Sequence, residues 1–209
     1  MAITGAEFIQ RVQVKLNRID TSEYEDVRPE EVLFFGYNAL KSLTLGFDLG
    51  QYPPLVDVDA IKVYLAHLHI SDEEDPITDN AFTLPEEVLK FKDLSAFVSY
   101  PATDHTETGW VDTRALDNIE NTHREDNPFT RSFPDKPIYR LIDLEVKFEV
   151  NDFIVTKARY DYLKNPVEFD EGDSLDYPFT NELEDKTVTL ILENLESRRI
   201  STQPQISRS

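Results

Sequence analysis

The chain has 209 residues and no cysteine, which excludes disulfide frameworks, thiolate nucleophiles and cysteine-ligated zinc. Hydrophobic residues make up 40% of it, with 13 Phe and 9 Tyr, enough to bury a sizeable core and to exclude global disorder. The formal net charge of -20 argues against tight binding of nucleic acid or anionic membrane through the general surface. The opening "MAITGAEFIQRVQ" lacks a basic region followed by an apolar run, so no signal peptide is expected. No stretch reaches the ~20 apolar residues of a membrane helix.

Thr4 with Glu7 fits a capping box and predicts a helix from about Gly5 to Arg18. Phe8, Val12, Leu16 and Ile19 then share one stripe, and Arg11, Lys15 and Arg18 another. "TSEYEDV" breaks the pattern. Pro29 suits a first helical position and is followed by Glu30 and Glu31, where the helix dipole favours acids. This second helix is expected to bury Val32, Phe35, Leu40 and Leu43 and to end near Thr44, with Gly46 as its stop. Ile61, Leu65 and Leu68 give "VDAIKVYLAHLHI" helical spacing; "SDEEDP" reads as a charged loop. "LPEEVLKFKDLSAFVSY" predicts a turn of helix entering a strand at about 94–100.

Residues 101–137 have few periodic apolar positions and four prolines, and read as a long loop with a short helix near Arg114 to Ile119. Leu144, Val146, Phe148 and Val150 alternate with Glu145, Lys147 and Glu149. Beyond Asn151-Asp152, Ile154, Thr156, Ala158, Tyr160 and Tyr162 alternate with Lys157, Arg159 and Asp161. Two such runs around a tight connection predict a β-hairpin. Pro166 stops the second strand. Asn181 with Glu184 forms a second capping-box candidate, opening a helix from about Glu182 to Ser197 with Leu183, Leu190, Ile191 and Leu195 on its apolar side.

The fold class read from these elements is α+β: a helical bundle of N-terminal helices plus the C-terminal helix, an antiparallel hairpin or sheet, and a long central loop insertion. The expected divisions are 1–100, mainly helical and ending in a strand; 101–137, an extended loop or arm; 138–197, hairpin plus helix; and 198–209, a flexible basic tail.

Site chemistry is sparse. His67 and His69 could share one face of a strand as metal ligands, but no third ligand stands at a recognisable spacing. Asp72, Glu73, Glu74 and Asp75 lack the glycine and terminal acid of a calcium loop. Asp104 and His105 precede no nucleophile motif, His123 has no partner motif, and there is no glycine-rich phosphate loop. No catalytic residue, cofactor or metal is therefore expected. Trp110, Phe129 and Phe133 are candidate aromatic interface anchors. Arg11, Lys15, Arg18, Arg198, Arg199 and Arg208 are candidate basic contacts, the last three in "SRRISTQPQISRS", a run without acids on so acidic a chain.

"YDYLKNPVEFD", an acidic gap, and "YPFTNELEDKTVTLILENLESRRIS" resemble in order the C-terminal part of head-to-tail connector proteins of crAss-like bacteriophages. "LPEEVLKFKDLSAFVSY", "EFIQRVQVKLNR" and "RPEEVLFFGYNALKSL" resemble the earlier segments of the same proteins, whereas 101–137 carries no resemblance. The resemblance implies a non-enzymatic virion protein, assembled in the host cytoplasm. It would form a dodecameric ring with copies of itself, dock beneath the portal and bind the next tail or ring protein. The genome would pass its acidic lumen without specific binding. The alternatives left open are another phage neck or tail-hub component and a cellular protein-binding module.

Overall fold

The computed structural model describes residues 2–19, 27–99, 109–116, 132–150 and 153–202, and the α+β class holds. The chain divides into a helical unit, Met1–His67 with Pro166–Ser209, and a β unit, Leu68–Asn165, inserted between its two halves. The divisions expected at 100 and 137 do not coincide with this one.

In the helical unit, α1 (Gly5–Ile19), α2 (Pro29–Asp48) and α4 (Thr180–Thr202) pack on one another, and α3 (Val58–Leu68) completes the set. The Thr4–Glu7 capping box forms in both directions: the Glu7 amide donates to Thr4 Oγ1 at 3.2 Å and the Thr4 amide to Glu7 Oε2 at 3.1 Å. Phe8, Val12 and Leu16 are buried as their spacing predicts, but Ile19, at the helix end, is exposed. α2 begins at Pro29 and runs through Gly46. It stops instead at Gly50, whose φ of 77° is left-handed; the Gly50 amide donates to Phe47 O and the Gln51 amide to Gly46 O. These are the two bonds of a Schellman termination, and they need a residue free of Cβ strain at Gly50. The core rings meet edge to face, Phe8 on Phe169 at 5.5 Å and Phe47 on Phe179 at 4.9 Å. Gly36 makes room for the first pair, since a Cβ there would lie 2.9 Å from the Phe8 ring. Two short strands, β1 (Ile3–Thr4) and β10 (Ser174–Leu175), pair antiparallel and clasp the two halves of the unit together.

The β unit is two four-stranded sheets around one apolar core. The first has the order β2 (His69–Glu74), β9 (Ile154–Lys164), β4 (Val88–Ser99), β5 (Gly109–Asp112). The second has the order β3 (Ala81–Thr83), β8 (Glu145–Glu149), β7 (Ile138–Ile142), β6 (Arg114–Ala115). All pairings are antiparallel except β6 with β7. Phe82, Tyr139, Val146 and Phe148 of one sheet share the core with Leu94, Ala96, Val155, Ala158, Tyr160 and Tyr162 of the other.

Both alternating runs are strands, but they do not form the expected hairpin. β8 pairs with β3 and β7, and β9 with β2 and β4, so the chain crosses from one sheet to the other near the Asn151-Asp152 connection, which itself lies outside the described residues. Each run has one apolar face, and burying both faces against each other satisfies them better than placing them side by side in one half-covered sheet. The hairpin lies one step earlier, between β7 and β8, turning at Asp143 with φ 55°. The alternation of β9 also slips once: Thr156 is the extra residue of a bulge opposite Phe97–Val98, so Val155 is buried and Ile154 exposed.

Three further expectations are corrected. "SDEE" is not a loop but most of β2, an edge strand whose acids discourage pairing with another chain. β4 starts at Val88, with no helical turn before it. Within 101–137 the described residues include β5 and β6, and Arg114 and Ala115 are extended rather than helical.

Candidate interaction surfaces

The outward face of the β2-β9-β4-β5 sheet is set by the odd-numbered residues of β9. Register places Glu73 beside Arg159 beside Ser95, and Ser71 beside Asp161 beside Asp93. Arg159 is held from two sides. Its Nε donates to Glu73 Oε2 at 2.8 Å, and its guanidinium lies over the Trp110 ring, 4.1 Å from the centroid. Trp110 in turn meets Phe97 edge to face at 5.5 Å, and Lys157 pairs with Asp75. Next to this cluster opens a groove of about 570 Å³, lined by Ser71, Glu73, Asp93, Ser95, Arg159 and Asp161 among others. Trp110 is thus an anchor of its own sheet face, positioned by β5.

On the inward side of the same sheet, the Tyr160 hydroxyl donates to Asp72 Oδ2 at 3.3 Å. Burial, reinforced by the Asp72 carboxylate, pushes the Tyr160 phenol up to about 12. The folded form therefore favours the neutral phenol: its contribution to stability is whole below pH 10 and falls between pH 10 and 12. In a phenolate absorbance titration, Asp72→Asn is expected to move one late-titrating tyrosine to lower pH. An unchanged titration would show that Asp72 does not act on it.

In the helical unit, the expected basic stripe of α1 is directed largely at the chain itself. Lys15 Nζ lies 2.9 Å from Glu184 Oε2 and 2.6 Å from Asp185 Oδ1, and Arg11 Nη1 lies 3.4 Å from Glu184 Oε1. Glu184 is buried, so it does not act as the expected capping-box acid; α4 starts at Thr180, two residues earlier than a cap at Asn181 requires. Arg18 joins Gln10, Arg11, Val14 and Lys15 along a smaller groove of about 310 Å³. The unit also leaves large apolar side chains in solvent: Leu55 is 95% exposed, Val167 75%, Phe34 62% and Val63 60%.

Phe133 is half exposed in a turn bridged by Lys136. Arg198 and Arg199 belong to the last turns of α4. Phe129, Arg208, Asp104, His105 and His123 lie outside the described residues, as does most of the "TSEYEDV" break. His67 lies in the last turn of α3 and His69 begins β2, so the two do not share one strand; His69 Nε2 lies 3.0 Å from Lys92 Nζ. Among the described residues no group of three or more His, Asp or Glu is placed to hold a metal ion, and no helix is long and apolar enough to cross a membrane. No local pattern in the sequence joins Arg159, Trp110 and Phe97, because the strand containing Trp110 is only four residues long.

No family model matches the chain, and no curated protein matches it.

Proposed function

We propose that this chain is a non-enzymatic virion structural protein, a ring-forming head-to-tail connector. It docks beneath the portal, receives the next tail or ring protein, and lines the channel through which the genome leaves. The observation that carries this reading is the surplus apolar surface of the helical unit. Phe34, Leu55, Val63 and Val167 stay in solvent although the unit already owns a core from Phe8 to Ile191. Side chains of this size contribute most when a partner removes them from water, at about 25 cal/mol per Å². The net charge of -20 gives a second, independent support. An acidic ring repels a polyanion passing through it and keeps unassembled copies apart. The sequence resemblance to connector proteins supplies the particular place in a virion.

Purified chain is expected to form annular particles of fixed stoichiometry when mixed with its portal, visible by electron microscopy and by mass. The combined variant Phe34→Ser, Leu55→Ser, Val63→Ser should keep its circular dichroism and lose incorporation. A chain that stays monomeric beside the portal, and is missing from purified virions by mass spectrometry, would overturn the reading.

A further inference from the structure

The outer sheet face of the β unit holds a pair of like charges in direct opposition. Asp93 of β4 and Asp161 of β9 are register partners, both exposed, on the floor of the 570 Å³ groove. Among the described residues neither carboxylate lies within ion-pair distance of a cation. Arg159, which lines the same groove, is already engaged by Glu73 and Trp110. Like charges opposite one another on a sheet destabilise it, whereas a cation between them reverses the sign. The Ser71 and Ser95 positions flank the pair on the same face and supply hydroxyls for a polar backbone.

We infer that this groove receives the basic run 197–209 of a second copy of the chain. The occupant is chosen by charge. On a protein of net charge -20, "SRRISTQPQISRS" carries Arg198, Arg199 and Arg208 and no acid. Arginine is the side chain suited to the site, because its planar fork donates two parallel hydrogen bonds to a carboxylate and sheds water more readily than an ammonium. The run begins in the last turns of α4, which ends at Thr202. A segment of one copy seated on a different surface of the next is a heterologous contact, the kind that closes into rings. The inference rests on the ring reading for its choice of a second copy, and its site is independent of the apolar surface that carries that reading.

The absence of cysteine makes the test direct. One full-length chain carries Ser95→Cys and another Ser209→Cys; the two are mixed under mild oxidation. A disulfide between them is intermolecular by construction. The expected result is a heterodimer yield well above that of Ser209→Cys mixed with Lys147→Cys, a control on an exposed position of the other sheet. Adding Asp93→Asn and Asp161→Asn to the Ser95→Cys chain should lower the yield about tenfold, since both charged acceptors of the arginine are removed. Arg208→Ser in the other chain should lower it in the same direction with the sheet untouched. Equal yields at Ser95 and Lys147, or a yield indifferent to the two asparagines, overturn the docking. So does a chain bearing both cysteines that closes on itself as a monomer. Portal-bound rings that persist when Arg198, Arg199 and Arg208 are all replaced by serine overturn the docking and leave the ring reading standing. A failure to form rings with cross-linking intact strikes the ring reading instead.

Discussion

Gly5→Ala is expected to destabilise the helical unit by about 3 kcal/mol or more, the upper range for overpacking against an unyielding wall. A Cβ at Gly5 would sit 2.0 Å from Asp170 O, 2.8 Å from Asp170 C and 2.9 Å from Glu171 Cα. All three are backbone atoms, so no rotamer change relieves the contact. Nor can the loop withdraw cheaply. Gly5 and Ala6 donate their amides to Asp173 O and Glu171 O, each at 2.9 Å, and these satisfy two of the free amides at the start of α1. The loop is further braced from within: the Asp170 amide donates to Asp173 Oδ2 at 2.7 Å, and the Asp173 amide to Asp170 O at 3.1 Å. β1 and β10 pair immediately beside it. This clasp joins the two halves of a unit that the inserted β unit separates in sequence, so its loss is felt by α1 and α4 together. Denaturant unfolding followed by circular dichroism at 222 nm reads the helices, and Gly172→Ala, with open space around its Cβ, is the control. A Gly5→Ala midpoint within about 0.5 kcal/mol of wild type would mean the loop yields without cost.

The parts of the fold legible in the sequence are those decided within one or two turns. The Thr4–Glu7 box, Pro29 at its first helical position and the stripe of Phe8, Val12 and Leu16 are local facts, and the structure repeats them. What the sequence withheld is the partner of each element. Alternation in residues 144–150 and 154–162 reveals a buried face but not which sheet supplies the neighbour, so the sequence suggests pairing the two strands with each other. Five polar or charged residues in six conceal β2, because its strand geometry comes from pairing along Ala158–Leu163 of β9 rather than from its own propensity. Trp110 sits in a four-residue strand with no periodicity to announce it; its place is fixed by Phe97 across the ladder. Most of the candidate surface follows from such long-range register. Arg159 and Glu73 stand 86 residues apart, and no local pattern joins Asp93 to Asp161. The basic stripe of α1 is the clearest case: its cations are visible in the sequence, whereas the spacing of Glu184 from Asn181 suggests a cap rather than their partner.

That acid sets the second large effect. Replacing Arg11 and Lys15 together with methionine is expected to destabilise the helical unit by about 3 kcal/mol, because it leaves the Glu184 carboxylate buried without a cation. Glu184 lies on α4 with its side chain 3% exposed, while Lys15 and Arg11 retain contact with water at 30% and 48%. The arrangement is therefore a buried acid capped by two cations at the surface, and the cost of stripping them falls at the lower end for a broken buried pair. Restoring balance should recover stability without restoring charge. Glu184→Leu in the doubly substituted background should regain much of the loss, as an apolar trio fills the same seam between α1 and α4. The pH dependence separates this account from simple packing. Burial opposes the charge on Lys15, yet its hydrogen bonds to Asp185 and Glu184 outweigh that and hold its pKa above the ordinary 10.5. A group raised in the folded state contributes fully below its unfolded value and loses that contribution as pH climbs through the folded one. Wild type should therefore lose stability above pH 10.5 by more than Lys15→Met does, a difference read from denaturant midpoints at pH 8 and pH 11. Parallel losses in the two proteins would show that Lys15 holds α1 to α4 through its methylenes alone.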